Sequence, residues 1–459
     1  MIDLNNIHQN NWAHTRVSIL GAGLSGIAAA NLGRYVGAEI FISDKNNSRE
    51  IVEKLHEFKH ETGGHSKKIL NTDLLILSPG IPDNIPIIQK CRGGNIPIVS
   101  EIEFASWFTE SPILALTGSN GKTTTVNLLH EMCVSDGKNS LLGGNVGIPF
   151  SENVLWELTS DISGSVHVLE LSSFQLEYIN SFSPTIAGIL NISADHMDRY
   201  ADIHAYAAEK LKLADQIKES GWLVYNADDP TLSNALMTVA RSVLFSLAQK
   251  ENCHFKLNAS KVYSGQEDSP DILFKLEDTK LKGFHNLQNI LAAATMAHSF
   301  GISRSAIQTT IINFTPIPHR LEWIGNINNV DYFNDSKATN IAAARAAIKS
   351  FDNNLILILG GQDKGTTDFR QLIPVMNGRV KAVITYGEAG SEIKNQLIGE
   401  FEPIYCALFN EAVNLAHEQS NSGDTVLLSP ACASFDQFSN YEERGDTFTR
   451  TFTQLELGN

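Results

Sequence analysis

The sequence predicts an α/β protein of three domains: a Rossmann-like domain over residues 1–109, a P-loop-type domain with a mixed sheet over 110–316, and a second Rossmann-like domain over 317–459. Three observations predict it. Short β-branched runs leading into glycine recur along the chain. At 459 residues the chain exceeds what one hydrophobic core serves. The segment Pro316-Ile317-Pro318 interrupts any helix and favours an extended connector between blocks.

The first block opens with the strand Arg16-Val17-Ser18-Ile19-Leu20, turns at Gly21-Ala22-Gly23-Leu24-Ser25-Gly26, continues as a helix from Ile27 to Val36, and returns as Glu39-Ile40-Phe41-Ile42-Ser43-Asp44. That order is a βαβ unit with parallel strands. A further strand, Leu74 to Leu77, ends in Ser78-Pro79-Gly80. The second block holds the runs Ile113 to Leu116, Val166 to Glu170 and Thr185 to Leu190. Residues 241–283 alternate and are rich in turn formers, which predicts a small antiparallel addition. The third block carries a helix from Ile341 to Lys349 and the strands Leu355 to Leu359, Ala382 to Tyr386 and Thr425 to Ser429.

Composition narrows the function classes. A formal net charge of -16 argues against nucleic acid or an anionic membrane as partner, since both require clustered Lys and Arg. The five cysteines are scattered, odd in number and without a C-x-x-C pair, which suits a reducing cytoplasm. Met1 to His14 is polar rather than a signal segment, and no apolar run nears the roughly 20 residues of a membrane span. A cytoplasmic monomer acting on small molecules is expected.

Thr117-Gly118-Ser119-Asn120-Gly121-Lys122-Thr123-Thr124 joins an apolar strand to a helical stretch. Its backbone N–H groups and the helix N-terminus suit phosphate, Lys122 reaches outer phosphates, and the Thr123 hydroxyl suits Mg²⁺. The loop departs from the full pattern in having Leu116 where the first glycine is expected. Glu170, ending an apolar strand, is a candidate Mg²⁺ ligand, because Mg²⁺ prefers oxygen. His196, in the polar loop Asn191 to Tyr200, is a ligand, a proton carrier or a cap. The first glycine motif, with Asp44 downstream, suits a dinucleotide or any other diphosphate.

The motifs, taken in order, resemble the Mur ligase family. They are Thr117 to Thr123, Leu169 to Glu177, Asn191 to Tyr200, His285 to Asn289, Pro318 to Glu322, Asn334 to Asn340 and Leu428 to Phe438. The missing first glycine is the family's habit. The stretches Asp195 to Tyr200 and Ser429 to Phe438 are similar to the member that adds D-glutamate. The resemblance implies ATP-dependent addition of D-glutamate to UDP-N-acetylmuramoyl-L-alanine through an acyl phosphate, in peptidoglycan synthesis. It implies ATP contacts at Gly118, Ser119, Asn120, Gly121, Lys122, Thr123, Thr124, Asn289, Arg320, Asp335 and Lys337. It implies two Mg²⁺ sites served by Thr123, Glu170, His196 and a carbamylated Lys210, with Lys122, Glu170, His196 and Lys210 catalytic. The nucleotide sugar falls to Leu24, Ser25, Asp44, Lys45, Ser78, Asn145 and Gln175, and D-glutamate to Thr339, Lys364, Ser434, Phe435 and Tyr441. Another amide ligase of the family, an NAD-linked oxidoreductase and a non-catalytic nucleotide-binding scaffold remain open alternatives. The requirement for ATP and for a particular amino acid separates them.

Overall fold

The computed structural model describes residues 4, 11–160, 164–193, 199–248, 253–258, 261–264, 271–281, 283–315, 317–351, 353–363 and 367–458. His196, Pro316 and Lys364 lie outside the described residues.

Three sheets follow one another in sequence. The first contains β1 (Arg16–Leu20), β2 (Glu39–Asp44), β3 (Lys59–Thr62), β4 (Leu74–Leu77) and β5 (Ile98–Ser100), all parallel, in the order β3-β2-β1-β4-β5. Helices on both faces bury it, which is why β1 and β4 are nearly continuous apolar runs. β1 lies between β2 and β4, so the glycine turn after it opens at a topological switch point, where ligands of such sheets bind.

The second sheet contains β6 (Ile113–Thr117), β7 (Asn139–Gly144), β8 (Ser165–Glu170), β9 (Ile186–Ile189), β10 (Trp222–Asn226), β11 (Ser242–Ser246), β12 (Cys253–Asn258), β13 (Lys261–Ser264) and β14 (Asp271–Lys275). Its order is β14-β13-β12-β11-β10-β9-β6-β8-β7, again with a switch point, between β8 and β9, where the phosphate loop leaves β6. The expected antiparallel addition is confined to β12-β13-β14, because β11 and β12 extend the parallel part. The helix Pro230–Leu236 supplies the crossover that lets β11 run parallel to β10.

The third sheet contains β15 (Glu322–Ile327), β16 (Val330–Asn334), β17 (Leu355–Gly360), β18 (Val380–Tyr386), β19 (Ile404–Cys406) and β20 (Thr425–Ala431), ordered β15-β16-β20-β17-β18-β19. All its pairings are parallel except the hairpin β15-β16. Asn328 and Asn329, with φ of 52° and 63°, make that hairpin's two-residue turn, and both need the left-handed region that Asn tolerates.

The chain forms two compact units, Met1–Thr279 with Gln288–Asn313, and Lys280–Leu287 with Phe314–Asn459. The first holds two of the sheets and the second holds one.

Candidate active site

The phosphate loop connects the fully buried strand β6 to the helix Lys122–Ser135. Gly121 stands at the helix N-cap with φ of 86°, and a Cβ there would come within 2.2 Å of Asn289 Oδ1. Only glycine meets both demands. Asn289 is therefore packed against the loop's turn from the helix Phe284–Phe300. The loop is held from behind by the irregular segment Leu190 to Ser193 that follows β9. Ser119 N donates to Asn191 O at 2.9 Å, Asn120 N donates to Asn191 Oδ1 at 2.9 Å, and Ser193 N donates to Ser119 Oγ at 2.9 Å.

Two lysines converge on one oxygen of this loop. Lys122 Nζ donates to Gly118 O at 2.8 Å and to Ser119 O at 3.0 Å. Lys210 Nζ, on the helix Ile203–Asp215 and only 1% exposed, donates to the same Gly118 O at 3.0 Å and lies 4.7 Å from the Tyr206 ring centroid. Beside them, Thr123 Oγ1 donates to Glu170 Oε2 at 2.7 Å, and Asn145 Nδ2 donates to Glu170 Oε1 at 2.8 Å. Glu170 is 3% exposed at the end of β8, which pairs directly with β6. Five sequence-predicted residues, Lys122, Thr123, Asn145, Glu170 and Lys210, thus sit around one loop. Thr124 is buried in the first helical turn. Gln175 is buried and spends its Oε1 on a capping box, accepting from Ser172 N at 3.0 Å.

The nucleotide-sugar candidates gather at the first glycine turn. Asp44 accepts Ala22 N at 2.6 Å and Asn46 N at 2.7 Å, so both its oxygens shape the turn. Ser78 Oγ donates to Gly21 O at 3.3 Å. Leu24 is 77% exposed, Lys45 is exposed and Ser25 half-buried, all around the same turn.

In the second unit, Asp335 follows β16 and accepts Leu321 N at 3.1 Å and Ser429 Oγ at 2.9 Å. Part of the residue reaches solvent, but enclosure of its carboxyl pushes the pKa up to about 7. Lys337 Nζ lies 3.7 Å from the Tyr441 ring centroid. Thr339 is exposed, and the cap of the helix Ile341–Ile348 is Asn340 rather than Ser336 or Thr339. Ser434 is buried, Phe435 is 66% exposed, and Arg320 is half-buried. Arg444 escaped the sequence reading. It is fully buried, and its guanidinium donates to Ser336 Oγ, Ser336 O, Tyr386 Oη and the carbonyls of Cys432 and Ala433. It thereby joins the Asn334 to Asn340 motif to the Ser429 to Phe438 motif. A cavity of about 570 Å³ in this unit is lined, among the described residues, by Asp363, Asp368, Glu388 and Glu392 together with Arg370.

Family models match along the chain: a Mur ligase MurD-like N-terminal domain over 15–100, a Mur ligase middle domain over 116–297, and a Mur ligase glutamate ligase domain over 319–432. The UDP-N-acetylmuramoylalanine–D-glutamate ligase of Salinibacter ruber is 37% identical over 456 residues, 96% of this chain and 98% of that protein. The enzyme of the same name from Christiangramia forsetii is 38% identical over 451 residues, covering 96% and 99%. The chain belongs to the Mur ligase family. Solved structures of a pseudomurein peptide ligase type C from Methanothermus fervidus (TM-score 0.60, 16% identity, 96% of this chain and 100% of that one) and of the UDP-N-acetylmuramate-alanine ligase MurC from Thermotoga maritima (TM-score 0.58, 18%, 96% and 100%) share the fold. Mur ligases are ATP-dependent and usually require Mg²⁺. The donor set here fits both: a cradle that a Cβ at Gly121 would fill, and a hydroxyl and carboxylate within 2.7 Å of each other on the oxygen-only pattern that Mg²⁺ prefers. No described helix is long and apolar enough to cross a membrane.

Proposed function

We propose that this chain ligates D-glutamate to UDP-N-acetylmuramoyl-L-alanine, converting ATP to ADP and phosphate, as a step of peptidoglycan synthesis. The convergence at the end of β6 carries the reading: Lys122 and Lys210 on Gly118 O, Thr123 and Asn145 on Glu170. A carboxylate acylates an amine poorly, so the alanyl carboxylate first attacks the γ-phosphorus of ATP. ADP leaves, and the D-glutamate amine then displaces phosphate from the acyl phosphate. Charge builds on phosphoryl oxygens and then on a tetrahedral carbon, so catalysis rests on placed cations. Lys122 exchanges its loop carbonyls for phosphate oxygens when ATP binds. Thr123 and Glu170 would hold Mg²⁺, which supplies charge neutralisation.

Lys210 and His196 are proposed for a second Mg²⁺ site. Two ammonium groups on one carbonyl oxygen repel each other, and a carbamate on Lys210 replaces that repulsion with attraction to Lys122. Asn289, Arg320, Asp335 and Lys337 are proposed for ATP. Leu24, Ser25, Asp44, Lys45, Ser78, Asn145 and Gln175 are proposed for the nucleotide sugar, and Thr339, Lys364, Ser434, Phe435 and Tyr441 for D-glutamate. We take the protein as a cytoplasmic monomer with domain boundaries near 109 and 316, which light scattering and limited proteolysis test. The decisive assay measures phosphate release from ATP with UDP-N-acetylmuramoyl-L-alanine and a panel of D- and L-amino acids. Release without a requirement for D-glutamate would sink the assignment.

A further inference from the structure

Arg199 stands next to last in the motif Asn191 to Tyr200, yet none of the roles above uses it. Its guanidinium forms a fork with Glu177, Nε donating to Oε1 at 2.9 Å and Nη2 to Oε2. Its plane lies over the Phe174 ring, 4.5 Å from the centroid. The fork and the stack fix the orientation of the group. The remaining Nη1 is thereby aimed at Ile81 O and donates to it at 3.2 Å, 118 residues away in sequence. Tyr200 reinforces the arrangement, donating to Glu177 Oε1 at 2.7 Å and stacking on Phe174.

Both ends of this bridge matter to the site. Ile81 backs the first glycine turn: a Cβ added at Gly21 would meet Ile81 Cδ1 at 3.0 Å and Ser78 Oγ at 2.8 Å. Phe174 and Glu177 flank Gln175 in and just after the short helix Ser173–Leu176, which begins three residues past Glu170. A simple ion pair would be complete with Glu177 alone. The third contact, from a rigid planar fork to a backbone carbonyl, is what a positioning device needs and a lysine cannot reproduce.

We propose that Arg199 is a positioning residue that registers the Ser78 to Ile81 segment, and with it the first glycine turn, against the elements beside the phosphate loop. It thereby sets how the nucleotide sugar is presented to ATP. This rests on the assignment of the first glycine turn to the nucleotide sugar. The test is steady-state kinetics of the full-length enzyme with Arg199→Gln, Arg199→Lys and Glu177→Gln, alongside thermal melting. Arg199→Gln is expected to raise KM for UDP-N-acetylmuramoyl-L-alanine by about tenfold, with KM for ATP changed less than about twofold. Arg199→Lys should fall between it and wild type. If the Gln variant does not fold, Arg199→Lys and Glu177→Gln carry the test. Unchanged KM for the nucleotide sugar in both, or an equal rise in KM for ATP, overturns the proposal. Failure of the underlying assignment looks different: the wild-type rate would then be indifferent to the nucleotide sugar, and free UDP would not compete with it.

Discussion

At the scale of single residues, Glu101 and Asp335 are the carboxyl groups whose pKa is strongly raised among the described residues. Glu101 is 1% exposed and accepts Ser151 N through Oε1, while its Oε2 and the neighbouring Ser151 Oγ have no hydrogen-bond partner among the described residues. Burial pushes its pKa up to about 7 from 4.5. The folded state therefore holds a proton there that the unfolded state releases at lower pH, so stability falls as pH rises from about 4.5 through about 7. Glu101→Gln keeps the shape and removes the titration. Its melting temperature is expected to exceed that of wild type by a few degrees at about pH 8 and to match it at about pH 5. Asp335, also raised to about 7, titrates in the same window, so some slope persists in the variant. An undiminished slope would show that the Glu101 proton is not coupled to folding. Lys122 is chemically distinct: its ammonium sits on loop carbonyls that cost little to leave, so Lys122→Ala should fold normally and lose at least about 100-fold in phosphate release.

At the scale of elements, the proposed reading gives each glycine turn its own substrate. At Gly121 a methyl group meets Asn289 Oδ1 at 2.2 Å in a left-handed backbone, and at Gly26 it meets the Gly21 carbonyl at 2.0 Å. The left-handed backbone at Gly121 alone costs alanine on the order of 1–3 kcal/mol, and at both positions the overlap displaces the loop. Gly121→Ala is expected to raise KM for ATP selectively, and Gly26→Ala KM for the nucleotide sugar. Identical kinetic profiles for the two variants would refute the division. These turns were legible because a parallel strand buried on both faces is an apolar run, and glycine ends it where backbone must approach phosphate, as at β1 and β6. Lys122 and Thr123 were legible because they open the helix that follows such a glycine loop, and Glu170 because it ends an apolar strand. Other features carried no local signal. The run 241–283 shows alternation that parallel and antiparallel strands share, so β11 and β12 could not be told from β13 and β14. The hairpin β15-β16 hides behind the register shift near Gly325. Arg444 sits on a polar helix, Tyr441–Gly458, and only tertiary packing reveals that it is buried.

At the scale of the whole molecule, the chain's organisation into two compact units means that a single unfolding free energy is not a safe quantity, whereas a ligand-induced shift is. Every group assigned above to the phosphate loop's own neighbourhood, from Lys122 to Asn289, belongs to the first unit. A ligand that binds only the folded unit stabilises it by about 2.7 kcal/mol at a concentration 100 times its Kd. For a unit of this size that is a shift on the order of 5 °C in melting temperature. Mg²⁺ with a non-hydrolysable ATP analogue should therefore raise a melting transition of the wild type by about that amount, and the analogue without Mg²⁺ should raise it less. In Lys122→Ala the shift should shrink markedly, because the cation proposed to face the outer phosphates is gone. The nucleotide sugar should still protect that variant, since most of its proposed contacts lie at the first glycine turn and none is Lys122. A Lys122→Ala protein protected by Mg²⁺ and the ATP analogue as well as wild type would place nucleotide binding elsewhere and remove the phosphate loop from the mechanism. Loss of both shifts together would mean that the two loops are not separate sites, and that the single chemical centre must be redrawn to include both.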